Sequence, residues 1–458
     1  MFDGNDSVLV IGVGRSGLAT AEILRKRGVS VAAYDDKEPA QLEAERRTLE
    51  RIGVALVDHA QLGDAASAST AAVLSPGVPP TSGAVQTVQA AGVPVYSEIE
   101  VAYRISRAPI IAVTGSKGKS TTTALIGHLL RAAGRTVRVG GNIGNPLIRE
   151  TDAADSDDIV VAEVSSFQLE SIRAFKPRTS VLLNISPDHL DRYPSIDEYA
   201  EAKYRIFANQ GPGDAFVGNL DDGNVARLRD EGTRTIPCAS FWFSAEGDPA
   251  ANALVIGGAI ALRESGSTQA AAVLGESEIK LIGRHNIANA LAAMLTAHLT
   301  GAPLDAIREG LKSFAPLPHR LQVVGTKSGV TWIDDSKASN PAAVISALES
   351  FESPIILIAG GKSKRTKFDE LASVASERAK AVVLIGETAR EIGGNVHNVP
   401  VHYADSMQAA VDAAASLAAA GDVVLLSPGG SSFDMFESAE QRGDAFAKCV
   451  RARRGRRK

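Results

Sequence analysis

The residues best suited to chemistry lie in Thr114-Gly115-Ser116-Lys117-Gly118-Lys119-Ser120-Thr121. This stretch follows the apolar run Ile110–Val113 and precedes Leu125, Ile126, Leu129 and Leu130 at helical spacing. A glycine-rich turn between a strand and a helix is a phosphate loop. Its backbone N–H groups cradle phosphate oxygens, a lysine neutralises the β/γ charge and a hydroxyl ligates magnesium. Gly115 through Thr121 are therefore candidate ATP ligands, with Lys119 on the phosphates and Ser120 on the metal. The spacing departs from the standard motif, with two residues rather than four between Gly115 and Gly118.

A second turn, Gly12-Val13-Gly14-Arg15-Ser16-Gly17, follows the run Val8–Ile11 and opens a helix with Leu18, Ala21, Ile23 and Leu24 on its apolar face. The next strand, Val29–Tyr34, leads into Asp35, eighteen residues after Gly17. Spacing and context fit a dinucleotide-type fold, where glycines let the backbone approach a diphosphate at a helix N-terminus. An NAD enzyme, a different diphosphate-bearing nucleotide and a purely structural turn all satisfy this pattern. A dehydrogenase needs only one anion-binding turn; an enzyme joining ATP to a nucleotide-linked substrate uses two.

Acidic residues follow at strand ends. Ile159–Ala162 runs into Glu163, where a magnesium ligand belongs in a phosphate-loop domain. The run Val181–Ile185 leads into Ser186-Pro187-Asp188-His189, and His189 beside Asp188 is a candidate ligand or orienting group.

The elements that must hold these groups repeat one pattern. Val- and Ile-rich runs alternate with helical periodicity throughout, which predicts parallel sheets with crossover helices. Third-block strands are expected at Ile355–Ile358, Val382–Ile385 and Val423–Leu426, and the alanine-rich Ala413–Ala420 reads as helix. The connector Phe314-Ala315-Pro316-Leu317-Pro318 and a softer boundary between Pro94 and Pro109 divide the chain. The expectation is three consecutive α/β domains: a Rossmann-like one over 1–98, a central phosphate-loop one over 99–316, and a second Rossmann-like one over 317–458.

Bulk properties remove other classes. The chain of 458 residues is 45% hydrophobic and 22% charged, as expected of a globular protein of two or three domains. A net charge of −5 argues against a broad basic face for nucleic acid. Cys238 and Cys449 have no metal-ligand spacing, and neither a signal peptide nor a membrane-length apolar run is visible, so a cytoplasmic enzyme is expected. Arg451–Lys458 carries six basic side chains and reads as a solvated tail.

Taken together, Gly115–Thr121, Gly140-Gly141-Asn142-Ile143-Gly144, Glu163–Glu170 and Asn184–Pro194 resemble the Mur ligase family. So do Gly283–Ala290, Leu317-Pro318-His319-Arg320, Asp334–Asn340 and Leu426–Phe433, in collinear order over nearly the whole chain. Within the family the motifs are most similar to the branch that joins D-glutamate to UDP-N-acetylmuramoyl-L-alanine. The Asp-Asn-Pro-Arg signature of the diaminopimelate- or lysine-adding branch and the Tyr-Gly-His-His segment of the alanine-adding branch are absent.

The resemblance implies residue roles. Lys119, Ser120 and Thr121 would hold ATP phosphates and magnesium, with Glu163 on one metal ion and His189 on a second. Asn286, Asn289, Arg320 and Asp335 would face the nucleotide. Gly14, Arg15, Ser16, Asp35 and Asp36 would take the UDP end, with Ser75, Gly77 and Asn142 along that substrate. Lys337, Ser339, Lys364, Ser432 and Phe433 would surround the incoming amino acid. Lys203 matches a lysine that the family carbamylates, turning a cation into an anionic oxygen ligand for magnesium. Two departures stand out: Lys117 replaces a common Asn, and Ala439 replaces an aromatic ring found in some members.

The implied reaction is amide formation through an acyl phosphate in peptidoglycan precursor synthesis, by a monomer using ATP and two magnesium ions, with closure of the third domain. Rival readings are another amide ligase of the superfamily, such as a folylpolyglutamate synthase, and an NAD-binding dehydrogenase or regulator. Neither the glutamate enantiomer nor the base that deprotonates the amine is named by the residues.

Overall fold

The computed structural model describes every residue except 1, 3, 189–191, 233, 264–266, 268, 364–366 and 454–458. His189 and Lys364, both singled out above, therefore lie outside the described residues. Two compact units emerge: Met1–Glu278 with Ala288–Ser313, and Ile279–Ile287 with Phe314–Lys458.

The first unit holds two sheets. Strands β1 (Ser7–Ile11), β2 (Ser30–Tyr34), β3 (Ala55–Leu56), β4 (Ala71–Leu74) and β5 (Val95–Ser97) form an all-parallel sheet in the order β3-β2-β1-β4-β5. The order reverses at β1, so the carboxyl ends of β1 and its neighbours flank a crevice. The second sheet has nine strands. Its parallel part is β6 (Ile110–Thr114), β7 (Val137–Gly141), β8 (Ile159–Glu163), β9 (Thr179–Leu182), β10 (Ala215–Asn219), β11 (Ala239–Ser244) and β12 (Ala253–Ile256). β13 (Ala259–Leu262) and β14 (Ala271–Gly275) extend it as an antiparallel edge, giving β14-β13-β12-β11-β10-β9-β6-β8-β7. Val8, Val10, Ile110, Ala112, Val160 and Phe216 belong to one continuous apolar cluster, which is why the two sheets form one unit.

The connection between the two sheets is a packed helix, Glu98–Ile105, rather than an open linker. Glu100 on it is fully buried; its carboxylate accepts from the backbone N–H groups of Arg173, Ala174 and Phe175 and from Arg104 Nε. A buried carboxylate with four donors offsets its desolvation and fixes the helix to the middle sheet.

The second unit has β15 (Gln322–Lys327), β16 (Val330–Asp334), β17 (Ile355–Gly360), β18 (Ala379–Ile385), β19 (Val401–Tyr403) and β20 (Val423–Gly429), in the order β15-β16-β20-β17-β18-β19. Only β15 pairs antiparallel. Both faces are covered, by Leu357, Leu384 and Leu425 on one side and Ile356, Val383 and Val424 on the other. That double burial produces the uninterrupted apolar runs in the sequence. The alanine-rich helix spans Met407–Leu417, earlier than its composition indicates, because Ser406 accepts from Ala409 N and caps it.

Candidate active site

The phosphate loop is held from beneath by the segment beyond β9. β9 stops at Leu182, short of the Ile185 that hydropathy indicates. The chain beyond it braces the loop instead of extending the sheet. Ser116 N donates to Asn184 O at 2.9 Å, Lys117 N donates to Asn184 Oδ1 at 2.8 Å, and Asn184 Nδ2 returns a bond to Lys117 O at 3.1 Å. Ser116 Oγ lies 3.0 Å from both Ser186 N and Ser186 O, and 3.3 Å from the Tyr199 hydroxyl. Gly118 has φ +81°, and a Cβ there would stand 2.3 Å from Asn289 Oδ1, so only glycine fits. Asn289 Oδ1 also accepts from Thr122 Oγ1 at 3.1 Å, tying Asn289 to the helix Lys119–Ala132 that follows the loop.

Two lysines converge on one carbonyl. Lys119 Nζ donates to Gly115 O at 2.8 Å and Ser116 O at 3.0 Å, and Lys203 Nζ donates to the same Gly115 O at 2.9 Å. Lys203 is 1% exposed and lies 4.4 Å from the centroid of the Tyr199 ring. Burial, and then the neighbouring Lys119 charge, push its pKa well below the ordinary lysine range, against the pull of Asp188 and Glu163. That direction favours the neutral, nucleophilic form of the amine.

Glu163, at the carboxyl end of β8, is 2% exposed. Its Oε1 accepts from Asn142 Nδ2 at 2.8 Å, while Oε2 is buried with no hydrogen-bond partner. An orphaned carboxylate oxygen is costly unless a cation or water takes it. Ser120 and Thr121 are each 8% exposed, at the start of the Lys119–Ala132 helix. Among the described residues no group of three His, Cys, Asp or Glu side chains makes a ready metal cluster. Magnesium needs no such cluster: it takes one or two protein oxygens and completes its shell with phosphate and water.

The first glycine turn is built differently. Ser75 Oγ donates to Gly12 O at 2.7 Å, and a Cβ on Gly17 would stand 1.9 Å from that same oxygen. Asp35 accepts Val13 N at 2.8 Å and Lys37 N at 3.1 Å, so both its oxygens shape the turn. The Arg15–Lys26 helix has no side-chain N-cap, and Gly14 and Arg15 are exposed at its start. Uncapped N–H groups there suit an anion. Asp36 accepts from the Tyr34 hydroxyl; Gly77 and Asn142 are exposed, and Ser16 is half-buried.

In the second unit, Asp335 is 8% exposed and accepts from Ser427 Oγ at 2.9 Å and Leu321 N at 3.2 Å. Burial raises its pKa to about 7, with Arg320 pulling the other way. Lys337 Nζ meets Glu440 Oε1 at 2.5 Å. Asn286 donates to Ile282 O at 2.7 Å. Ser432 is buried, whereas Phe433 is 69% exposed.

Two further residues were not singled out from the sequence. Tyr199 sits one helical turn before Lys203, so spacing alone placed both on one face. Arg442 is 1% exposed and donates to Ser336 Oγ, Ser336 O and Gly430 O, bracing the loops that carry Lys337 and Ser432. Desolvation lowers its pKa to about 10, and nothing in its type or spacing announced it.

Comparison with known proteins agrees along the chain. Residues 6–97 match the Mur ligase MurD-like N-terminal domain, 113–297 the Mur ligase middle domain and 319–430 the Mur ligase glutamate ligase domain. UDP-N-acetylmuramoylalanine–D-glutamate ligase of Pelotomaculum thermopropionicum is 44% identical over 446 residues, covering 97% of each chain. The enzyme of the same name from Salinibacter ruber is 43% identical, covering 96% of each. Among solved structures, the Thermotoga maritima MurF ligase in complex with ADP has a TM-score of 0.62 at 18% identity, covering 99% of this chain and 98% of that one. The UDP-N-acetylmuramate–alanine ligase of the same organism has a TM-score of 0.61 at 18% identity, covering 98% and 99%.

Proposed function

The chain belongs to the Mur ligase family, and from that premise we infer that it joins D-glutamate to UDP-N-acetylmuramoyl-L-alanine at the expense of ATP. The observation that carries the reading is the meeting of Lys119, Lys203 and the orphaned Glu163 oxygen around one phosphate loop.

ATP is assigned to Gly115–Thr121, and the acceptor's UDP end to the Gly12–Gly17 turn with Asp35 and Asp36. Ser75, Gly77 and Asn142 are assigned to the rest of the acceptor. Lys337, Ser339, Lys364, Ser432 and Phe433 are assigned to glutamate. Magnesium fits the donors present: Ser120 and Glu163 would hold one ion, and His189 with a carbamylated Lys203 a second. Bound there, magnesium supplies positive charge to the phosphoryl oxygens.

The acceptor's carboxylate oxygen attacks the γ-phosphorus, ADP leaves and an acyl phosphate forms; Lys119 offsets the charge spreading over the phosphoryl oxygens. The glutamate amine attacks the acyl carbon, loses a proton, and phosphate departs with its bonding electrons. Lys203 suits a carbamate because its neutral amine can add CO₂ and release one proton, leaving an anionic oxygen in place of a cation. Asn142 holds Glu163 Oε1, leaving Oε2 as the oxygen that would take a metal ion. No helix among the described residues is long and apolar enough to cross a membrane, and a reaction on soluble nucleotides belongs in the cytoplasm. One chain carries all three assigned binding regions, so a monomer suffices.

The test is phosphate release with each substrate omitted in turn and with both glutamate enantiomers. Release only when ATP, UDP-N-acetylmuramoyl-L-alanine and D-glutamate are all present supports the reading. Release without the UDP substrate, or with folates in its place, contradicts it.

A further inference from the structure

One polar chain beside the first glycine turn links Asp36, already assigned to the UDP end, to two residues given no role above. β2 runs out through Tyr34 into Asp35 and Asp36, and the loop after β3 carries His59. The Tyr34 hydroxyl donates to Asp36 Oδ1 at 2.8 Å and lies 3.1 Å from His59 Nδ1. The two rings are 6.4 Å apart with their planes tilted by 43°. Tyr34 is 3% exposed, whereas His59 is exposed.

These contacts fix where the protons lie. Burial, followed by the Asp36 bond, raises the Tyr34 pKa to about 12, so the phenol keeps its proton across the working range. It has one proton, and a carboxylate can only accept. That proton therefore points at Asp36, and the Tyr34 oxygen must accept the contact from His59. Nδ1 of His59 is then the protonated nitrogen, and in neutral imidazole Nε2 is left as a lone-pair acceptor. Among the described residues Nε2 has no hydrogen-bond partner.

Position makes this acceptor useful. The strand order β3-β2-β1 places the ends of β2 and β3 next to the glycine turn, and Gly12 N donates to Tyr34 O at 2.7 Å. Two strand spacings span about 10 Å, roughly the reach of a nucleoside from its phosphate. A diphosphate on the Gly14 helix end thus directs its base along the carboxyl ends of β2 and β3.

We propose that His59 reads the base of the nucleotide-linked acceptor, its Nε2 accepting the N3–H of uracil while Tyr34 and Asp36 hold the ring in that tautomer. Cytosine offers a lone pair at N3 and would face lone pair to lone pair, so the arrangement selects uridine over cytidine nucleotides. The inference rests on the assignment of the UDP end to the first domain.

The test measures binding of UMP and CMP to the full-length enzyme by calorimetry, for the wild type and for His59→Ala, His59→Gln and Tyr34→Phe. Melting temperatures confirm folding; His59 is exposed, so its replacements leave the core intact. The wild type is expected to favour UMP by about tenfold, the worth of one hydrogen bond to a matched site. His59→Ala should bring the UMP/CMP ratio close to one, His59→Gln should keep part of it through its amide oxygen, and Tyr34→Phe should reduce it. The KM values for ATP and glutamate should not move. A UMP/CMP ratio unchanged in His59→Ala overturns the role of His59. Failure of UMP to bind or compete with the acceptor in the wild type overturns the nucleotide assignment itself, and this inference with it.

Discussion

Two glycine turns in the first unit solve the same backbone problem and end with different chemistry. Each follows the first strand, in chain order, of its sheet and opens a helix. Around Gly12–Gly17 the turn is closed by neutral and acidic partners: Ser75 on the Gly12 carbonyl and Asp35 on the Val13 N–H. Around Gly115–Thr121 it is crowded by Lys119 and Lys203 on one carbonyl, with Glu163 and Asp188 near enough to act on the Lys203 charge. Glycines decide that an anion can approach; the flanking charges decide whether it is held or has a phosphoryl group transferred from it.

The comparison breaks most visibly at Lys203. Lys203→Ala should lower kcat roughly 10²–10³-fold, with partial recovery on adding a short carboxylate, because the proposed carbamate would supply an oxygen ligand at the reacting site. Steady-state phosphate release checks this, and near-normal turnover would remove the distinction between the turns. Lys119→Met should cost about 10²-fold in kcat, with the acceptor KM little changed. At the other turn the pattern should invert. In Gly17→Ala the new methyl would collide with Gly12 O, so the acceptor KM should rise about tenfold or more while ATP affinity holds. Asp35→Asn removes the charged acceptor of Val13 N–H and should cost about 1–2 kcal/mol of acceptor binding, read as KM, with kcat spared.

The last effect falls on stability rather than turnover and concerns the helix joining the two sheets. Glu98 at its start is 1% exposed; Oε1 accepts from Ile148 N at 2.7 Å and Oε2 has no partner. Desolvation raises its pKa from 4.5 to about 7. A raised folded-state pKa means the stabilising proton is fully bound in both states below 4.5, and stability is lost as pH rises through about 7. Glu98→Gln should abolish that loss, so that at pH 8 it is more stable than wild type by at most about 3 kcal/mol and melts higher. Parallel melting curves from pH 4 to 8 check the sign.

The phosphate loop, Glu163 and the parallel-sheet pattern were legible because glycine spacing and apolar runs are local signals. The run through Ile185 has the hydropathy of a strand, which does not reveal that Asn184 is needed to brace the loop. β13 and β14 left little trace, being short edge strands of small residues such as Ala259, Ala261, Ala271 and Ala272. Arg442 was invisible for a deeper reason: a buried guanidinium serving both oxygens of Ser336, 106 residues away in sequence, has no signature until the fold brings them together. Neither Tyr199 nor His59 stands out in the sequence; only the contacts with Ser116 and Tyr34 that the fold creates distinguish them.

The central claim is that this loop activates a carboxylate as an acyl phosphate, and oxygen labelling tests it directly. UDP-N-acetylmuramoyl-L-alanine carrying ¹⁸O in its carboxylate is turned over with ATP and D-glutamate, and the released phosphate is analysed by mass spectrometry. Transfer of one ¹⁸O into each inorganic phosphate is the predicted result, because the attacking carboxylate oxygen leaves with the phosphoryl group. Unlabelled phosphate accompanying labelled water or labelled AMP would contradict the account.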